Sequence, residues 1–151
     1  MQLTRAADYA VRVMIHLAGL PPGARVNRSE LSAIAECPTQ FLCKVLQNLT
    51  RAGLVISHRG NTGGFELEEI HRTASVLEVV EAVEGPIRLN VCLTSEHACA
   101  GQSCCPARGV WAAAQGALVE VLGGATISCL AQQPATARQP VIVGIDEARR
   151  S

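Results

Sequence analysis

The chain has 151 residues, of which 48% are hydrophobic and 17% charged, with seven cysteines and equal numbers of acidic and basic side chains. This composition suits one globular domain, or a small domain with an oligomerisation arm, and no stretch approaches the roughly 20 apolar residues that span a membrane. Because Arg5, Asp8 and Arg12 interrupt the early apolar region, we expect no signal peptide and a cytoplasmic location. The odd cysteine count and a reducing compartment argue against a disulfide framework.

The N-terminal part of the chain is basic. Residues 1–65 contain seven Arg and Lys against three Asp and Glu, whereas residues 66–151 contain six against ten. This asymmetry favours a polyanion partner for the first part. That part begins with an amphipathic helix predicted over residues 4–19, with Thr4 as its cap.

Two short helices joined by a tight turn follow. Asn27 and Glu30 form a capping box for the first of them. Pro38 begins the next, which runs to about Ala52 and ends at Gly53. Since the second helix leaves polar residues facing outward, the pair predicts a helix-turn-helix. The inward residues predicted for the first helix are Leu31, Ile34 and Ala35.

A β-hairpin is predicted directly after these helices. Residues 54–58 and 65–67 have strand character, and the tip between them, 59–64, contains three glycines. A phosphate-binding loop is disfavoured because no helix opens after the glycines and no Gly-Lys-Ser/Thr is present. A hairpin in this place is the wing of a winged helix.

The C-terminal part contains a second capping box, at Ser75 and Glu78, and then the longest helical pattern of the chain. We predict that this pattern is a dimerisation helix, with an ordinary core helix as the alternative. Residues 132–151 are expected to form a loose tail. The apolar stripe consists of Val110, Trp111, Ala114, Ala117, Leu118, Val121 and Leu122.

Four of the seven cysteines lie between Cys92 and Cys105, in a segment without helical or strand periodicity. Such a loop indicates a disulfide, a zinc site or an iron–sulfur cluster. Structural zinc sites favour two closely spaced cysteine pairs, and only Cys99 and Cys104 have that spacing here. The remaining cysteines fall in helical patterns and are predicted to be small buried hydrophobic residues: Cys37, Cys43 and Cys129.

Several motifs together resemble the Rrf2 family of winged-helix transcription regulators, which includes the IscR, NsrR and RirA types. The resemblance covers residues 1 to about 131. It implies a homodimer that binds a double-stranded DNA operator and holds an iron–sulfur cluster on three loop cysteines and one further ligand. The matching motifs are Asp8-Tyr9-Ala10-Val11-Arg12, Arg51-Ala52-Gly53-Leu54-Val55, Arg59-Gly60-x-x-Gly63-Gly64-Phe65, Val79-Val80-Glu81-Ala82-Val83-Glu84-Gly85 and the cysteine loop before a long helix.

The resemblance carries the ligand set over to Cys92, Cys99, Cys105 and Asp8. In the IscR type the fourth ligand is a histidine three residues after the last cysteine, but Arg108 stands there in this chain. In the NsrR type it is an aspartate early in the first helix of the partner subunit, and Asp8 occupies that position. The resemblance is therefore closest to NsrR.

Two features leave alternatives open within this ligand set. Cys104 adjoins Cys105 and could replace it, and His97 is a rival for the fourth position. Adjacent residues in extended backbone point to opposite sides, so Cys104 and Cys105 are not expected to bind one cluster together. A four-iron cluster is favoured, with a two-iron cluster as the alternative.

For DNA, the resemblance places the second helix of the helix-turn-helix in the major groove and the wing at the minor groove. Acidic Glu66, Glu68 and Glu69 follow the wing, so wing contacts are expected only at its tip. The predicted DNA-binding residues are Arg12, Arg28, Thr39, Gln40, Lys44, Arg51, Arg59, Gly60 and Asn61.

The predicted fold class is mainly helical with a small β-hairpin, a winged helix-turn-helix followed by a long dimerisation helix. The predicted divisions are a DNA-binding domain at 1–85, a cluster-binding loop at 86–106, a dimerisation helix at 107–131 and a tail at 132–151. We expect a repressor, not an enzyme, that senses nitric oxide or redox or iron status. The alternatives are an iron-responsive or redox-cycling regulator of the same family, or a thiol-redox or electron-transfer protein.

Overall fold

In a computed structural model of the chain, the described residues are 3–95, 99 and 105–133. Within them the fold is mainly helical with one two-stranded antiparallel hairpin, which confirms the predicted fold class. No helix in this part of the chain has the length and apolar character needed to cross a membrane. The elements are α1 (Arg5–Ala18), α2 (Arg28–Ala35), α3 (Thr39–Arg51), β1 (Ile56–His58), β2 (Gly64–Glu66), α4 (Val76–Glu84), α5 (Ala107–Gly124) and α6 (Ile127–Gln132), with 3₁₀ turns at Glu69–Thr73 and Val91–Leu93.

Helix α1 lies at the centre of the fold. Thr4 caps it by accepting a hydrogen bond from the Ala6 amide at 3.2 Å. One face is buried against α2, α3, α4 and α6, because its apolar residues recur at helical spacing. At the other end of α1, the Arg72 guanidinium donates hydrogen bonds to the Ala18 and Leu20 carbonyls at 2.6 and 2.7 Å. Carbonyls at the end of a helix have no partner within the helix, so Arg72 satisfies them. The buried face consists of Ala7, Ala10, Val13, Met14 and Leu17.

The predicted capping box at the start of α2 is present. Asn27 accepts from the Glu30 amide at 2.9 Å, while the Glu30 carboxylate accepts from the Asn27 amide at 3.3 Å. The chain then turns at Glu36, whose φ of 52° reverses the backbone direction before Pro38 starts α3. This turn produces the helix-turn-helix. Ile34, predicted to face inward, is instead 37% exposed.

The wing follows α3 as predicted, although both strands are short. Residue Ser57 pairs with Phe65, and Phe65 also exchanges backbone hydrogen bonds with Val26 at 2.9 and 3.0 Å. A Cβ on Gly64 would lie 2.8 Å from the Val26 carbonyl oxygen, so this approach requires glycine. The hairpin is therefore attached to the segment that precedes α2.

The capping box at the start of α4 is also present, with Ser75 Oγ accepting from the Glu78 amide at 3.1 Å. Hydrogen bonds from the backbone and hydroxyl of Ser75 lower the pKa of the Glu78 carboxyl. Helix α4 ends at Gly85, which adopts a φ of 80°.

The C-terminal helical pattern is divided into two helices. Helix α5 ends at Gly124, and α6 returns to pack on α1, with Ile127 fully buried in the main core. The Val76 amide donates to the Ala125 carbonyl at 2.8 Å, which fixes the break between α5 and α6 beside α4. The C-terminal helices thus share the core of the predicted DNA-binding domain, because α6 supplies apolar surface that α1 buries. Of the predicted tail, only 132 and 133 are among the described residues.

Candidate DNA-binding face and cysteine loop

The exposed face of α3 is polar and projects away from the core. Thr39, Gln40 and Lys44 are all exposed, as predicted for residues that contact DNA. Thr39 Oγ1 lies 3.2 Å from Ser32 Oγ on α2, so the first residue of α3 is tied to the preceding helix. The opposite face is held in the core by Leu42, Val45, Leu46 and Leu49.

The wing tip presents exposed Arg59, Gly60 and Asn61. Gly60 adopts a φ of 102°, which favours glycine at the turn. Glu66 does not face the tip, because its carboxylate lies 2.7 Å from His58 Nε2 and 3.4 Å from Arg25 Nε. The acid expected to repel phosphate therefore already contacts His58 and Arg25.

The three other predicted phosphate contacts differ in availability. Arg28, at the start of α2, and Arg51, at the end of α3, are exposed and form no ion pair within the described part of the chain. Arg12 lies 3.0 Å from Asp8 and 3.4 Å from Glu36. Its hydrogen bond to Asp8, together with the charge of that carboxylate, raises the pKa of Arg12. Arg12 would have to exchange these partners to contact a phosphate.

Cys92 lies in the 3₁₀ turn Val91–Leu93 and is buried. The turn is capped by Asn90, whose side chain accepts from the Val91 amide at 2.8 Å. The backbone just before it is held by α5, because Gln115 Oε1 accepts a hydrogen bond from the Leu89 amide at 3.0 Å. Cys92 therefore occupies a fixed position against the long helix.

A cleft of about 640 Å³ opens beside Cys92, between α4 and the first half of α5. Arg88 and Arg108 line it together with Glu81, and Gly116 leaves room on the α5 side. Two arginines against one carboxylate give the cleft a positive character, which suits an anionic group. Cys99 and Cys105 are exposed, and Cys105 directly precedes the first turn of α5.

The four predicted cluster ligands do not converge in one subunit. Within residues 3–95, 99 and 105–133, no three His, Cys, Asp or Glu side chains are placed to hold a metal ion. The Asp8 side chain is 54% exposed on α1 and pairs with Arg12. The two rivals, His97 and Cys104, lie outside the described residues.

The three cysteines predicted to be buried differ from one another. Cys37 is buried, and its burial raises the pKa of the thiol, as expected for an inert cysteine. Cys43 is half-buried on α3, while Cys129 is exposed on α6, so the prediction is wrong for Cys129. Cys129 faces outward because α6 directs Ile127 into the core instead.

Helix α5 carries an apolar face that the described chain does not cover. It contains no buried residue, although Leu118 and Leu122 pack against α4. The predicted stripe is thus divided: part contacts α4, and Val110, Trp111 and Val121 remain 66%, 42% and 41% exposed. A Cβ on Gly116 would meet nothing within 4 Å, so close packing at this glycine is not made inside the subunit.

Three features of the site were not predicted from the sequence. Phe41 is 67% exposed at the start of α3, Gln115 holds the backbone before Cys92, and His58 pairs with Glu66. The helical period could have placed Phe41 outside the buried stripe of α3. The Gln115 and His58 contacts join distant or cross-strand positions, for which the sequence contains no local signal.

Comparison with known proteins agrees with this architecture. Residues 3–133 match the family model described as Rrf2, iron-dependent transcriptional regulator. A Mycobacterium tuberculosis protein named as an HTH-type transcriptional regulator, Rv1287, is 39% identical over 87 residues, which are 58% of this chain and 54% of that protein. The match therefore spans about half the length of this curated relative.

Solved structures share the fold. Staphylococcus aureus CymR superposes with a TM-score of 0.69 at 23% identity, covering 87% of this chain and 98% of that one. B. subtilis CymR, named as the global cysteine regulator, gives 0.69 at 23% identity, with 87% and 96% covered. T. potens IscR gives 0.63 at 24% identity, with 89% and 93% covered. At these identities the likeness shows the fold alone.

Proposed function

Because this chain belongs to the Rrf2 family of transcriptional regulators, we propose that it is a homodimeric, cytoplasmic repressor that binds operator DNA and senses nitric oxide, or a related redox or iron signal, through a labile iron–sulfur cluster. Within the family this proposal is closest to the NsrR type. The observation that carries it is the presence of two features in one chain. One is the polar exposed face of α3, the helix that would read DNA bases (the reading helix). The other is buried Cys92, whose preceding backbone is bonded to α5, a helix with an apolar face that the described residues do not cover.

DNA binding is supported by the arrangement of α2, α3 and the wing. The exposed start of α3 offers Thr39, Gln40 and Lys44 to base edges and nearby phosphates, as the second helix of a helix-turn-helix does. Arg59 at the wing tip suits the negative potential of a narrow minor groove. Arg28 and Arg51 supply contacts to phosphate, with Arg12 available after exchange, and Gly60 and Asn61 complete the tip.

Dimerisation is supported by the uncovered face of α5. Exposed Val110, Trp111, Ala114 and Val121 recur along one side of the helix, which is the pattern of a helix that packs on a second copy. A symmetric pair would direct both reading helices to successive half-sites of a palindromic operator.

The cluster proposal rests on the donors available. Cys92, Cys99 and Cys105 would supply thiolates, the soft ligands that iron–sulfur clusters use, and Asp8 of the partner subunit would supply the fourth ligand. A four-iron cluster is favoured, with a two-iron cluster as the alternative. When bound, the cluster supplies iron that reacts with small diatomic gases and oxidants. The positive cleft beside Cys92 supports an anionic group there.

The residues of the chain offer a route from this segment to the DNA-binding helices. Gln115 links the backbone before Cys92 to α5, and α5 packs on α4. Glu84 at the end of α4 accepts a hydrogen bond from the Thr4 amide at 2.7 Å, which ties α4 to the start of α1. A change in the position of Cys92 would thus be transmitted through α5 and α4 to α1, and it would shift the position of α3, which packs against α1 and α4.

The test is anaerobic purification followed by visible spectroscopy, iron and sulfide analysis, and DNA binding before and after addition of nitric oxide. We expect about one cluster per subunit, and a change in operator affinity on exposure to nitric oxide. If the anaerobically purified protein binds DNA but contains no iron or sulfide, the cluster proposal is overturned and the proposal of a DNA-binding regulator stands. A cluster that responds only to iron supply or to oxidants would favour the iron-responsive or redox-cycling alternative.

A further inference from the structure

Phe41 is an apolar side chain exposed where the surrounding surface is polar. It is the third residue of α3 and is 67% exposed, whereas Leu42 beside it is fully buried. The other described phenylalanine, Phe65, is half-buried and packs against the core. A single exposed aliphatic residue needs no explanation, but a phenylalanine among predicted base-reading residues does.

Phe41 has exposed polar neighbours at the start of α3. Gln40 precedes it in the chain, and Lys44 follows one helical turn later, so the three side chains share the first two turns. Phe41 and Lys44 also line a groove of about 500 Å³ whose other walls include Arg5 and Tyr9 of α1. Arg5 and Lys44 form no ion pair within the described part of the chain, so the groove is flanked by cations.

The positive charges of Arg5 and Lys44 indicate which kind of partner would cover the Phe41 ring. Cations beside an exposed aromatic ring suit a polyanion that also presents apolar groups. Double-stranded DNA offers such groups in the major groove at one base only, because thymine carries the C5-methyl group. The polar edges of the other bases would lose hydrogen bonds to water if a phenyl ring covered them.

We propose that Phe41 is a specificity-determining residue that packs against a thymine methyl group in each half-site. The inference rests on the proposed DNA-binding function and adds a base preference to it. Gln40 and Thr39 contribute hydrogen bonds to base edges, and Lys44 holds the adjacent phosphate. Phe41 favours thymine at one position, where cytosine would present an amino group and no methyl.

The experiment uses a duplex selected by the purified full-length protein from a random pool. Each thymine of that duplex is replaced in turn by deoxyuridine, which removes only the methyl group, and the Kd is measured for the wild-type protein, Phe41→Leu and Phe41→Ala. We expect one thymine per half-site at which the wild-type Kd rises about fourfold, the equivalent of ~0.8 kcal/mol for one buried carbon group. Phe41→Ala should bind the thymine and deoxyuridine duplexes equally well there, while Phe41→Leu keeps part of the difference.

Ile70→Ala is the matched control, since Ile70 is 74% exposed on the 3₁₀ turn Glu69–Thr73. It should leave every Kd unchanged. The inference is overturned if no thymine is methyl-sensitive, or if Phe41→Ala weakens all duplexes equally and keeps the same deoxyuridine profile. It is also overturned if Phe41→Ala changes the mass in light scattering, because Phe41 would then contact protein. A wild-type protein that selects no duplex would instead refute the proposed DNA-binding function itself.

Discussion

His58 and Glu66 pair across the two strands of the wing, with Nε2 of the imidazole 2.7 Å from the carboxylate oxygen. The same carboxylate lies 3.4 Å from Arg25 Nε in the segment before α2. Glu66 therefore holds both strands of the hairpin and the chain that leads into the helix-turn-helix. An acid next to the wing is a structural link here, although its charge alone would oppose DNA binding.

We predict that Glu66→Gln destabilises the wing and increases nonspecific DNA binding. Loss of the contacts with His58 and Arg25 should lower the free energy of unfolding by about 0.2–1 kcal/mol. The freed Arg25 would then attract phosphate. Affinity for random duplex should therefore increase at low salt, and it should decrease more steeply as the salt concentration is raised. Glu68→Gln is the control, because the one ion-pair partner of Glu68 among the described residues is His71, at 3.8 Å. Unchanged melting and DNA titrations for Glu66→Gln would contradict the prediction.

The second prediction concerns Arg59 at the wing tip. Arg59→Ala should lower the slope of log affinity against log salt by about 0.9, the value expected for one lost phosphate contact. The loss should be similar for different duplexes, whereas Gln40→Ala should change the preferred sequence. Arg88→Ala, an exposed arginine in the cleft beside Cys92, serves as the control. An unaltered slope for Arg59→Ala would exclude the wing from the DNA interface.

The third prediction assigns the cysteines. Replacement of Cys92, Cys99 or Cys105 by Ala should abolish retention of iron under anaerobic conditions, because each would supply one thiolate. Cys37→Ala, Cys43→Ala and Cys129→Ala should keep full iron, and only Cys37→Ala should lower stability clearly, since Cys37 is buried. Full iron in Cys105→Ala, with loss in Cys104→Ala, would move the last ligand by one residue.

The fourth prediction separates Asp8 as a ligand from Asp8 as an ion-pair partner. Asp8→Ala should alter the visible spectrum and hasten cluster loss while leaving the apo fold intact. Glu36→Ala is a matched control, because it removes the other carboxylate near Arg12, at 3.4 Å, without touching the proposed ligand set. Should both variants show the wild-type spectrum and response to nitric oxide, His97 or an exogenous ligand would take the fourth position.

The fifth prediction concerns the exposed face of α5. Val121→Glu should convert the dimer to monomers in light scattering, because it places a charge in an apolar interface. It should also weaken operator binding, since two linked half-site contacts become independent. Glu120→Arg, a charge change at an exposed position one residue away, should leave the mass unchanged. A dimeric Val121→Glu would place the interface elsewhere.

Local sequence signals predicted most of the secondary structure. Thr4, Asn27 with Glu30, and Ser75 with Glu78 satisfy helix-end amides through side chains close in sequence, so the capping pattern alone locates these helix starts. The period of Leu42, Val45, Leu46 and Leu49 likewise identifies the buried face of α3. Both signals depend on contacts within one turn or one helix.

Long-range packing decided the features that the sequence left open. The division of the C-terminal pattern into α5 and α6 depends on the core that accepts Ile127, and the exposure of Ile34 depends on which helices reach α2. The pairing of Gln115 with the Leu89 amide joins residues 26 positions apart.

By itself, then, the sequence determined the helix-turn-helix, the hairpin and the caps, because spacing and residue chemistry encode them locally, whereas the set of candidate ligands is what the resemblance to the Rrf2 family implies. Only the tertiary structure decided that Cys92 lies against α5, and that Glu66 contacts both His58 and Arg25. The physical reason is that burial and distant contacts depend on how whole helices pack together, and local patterns do not specify that packing.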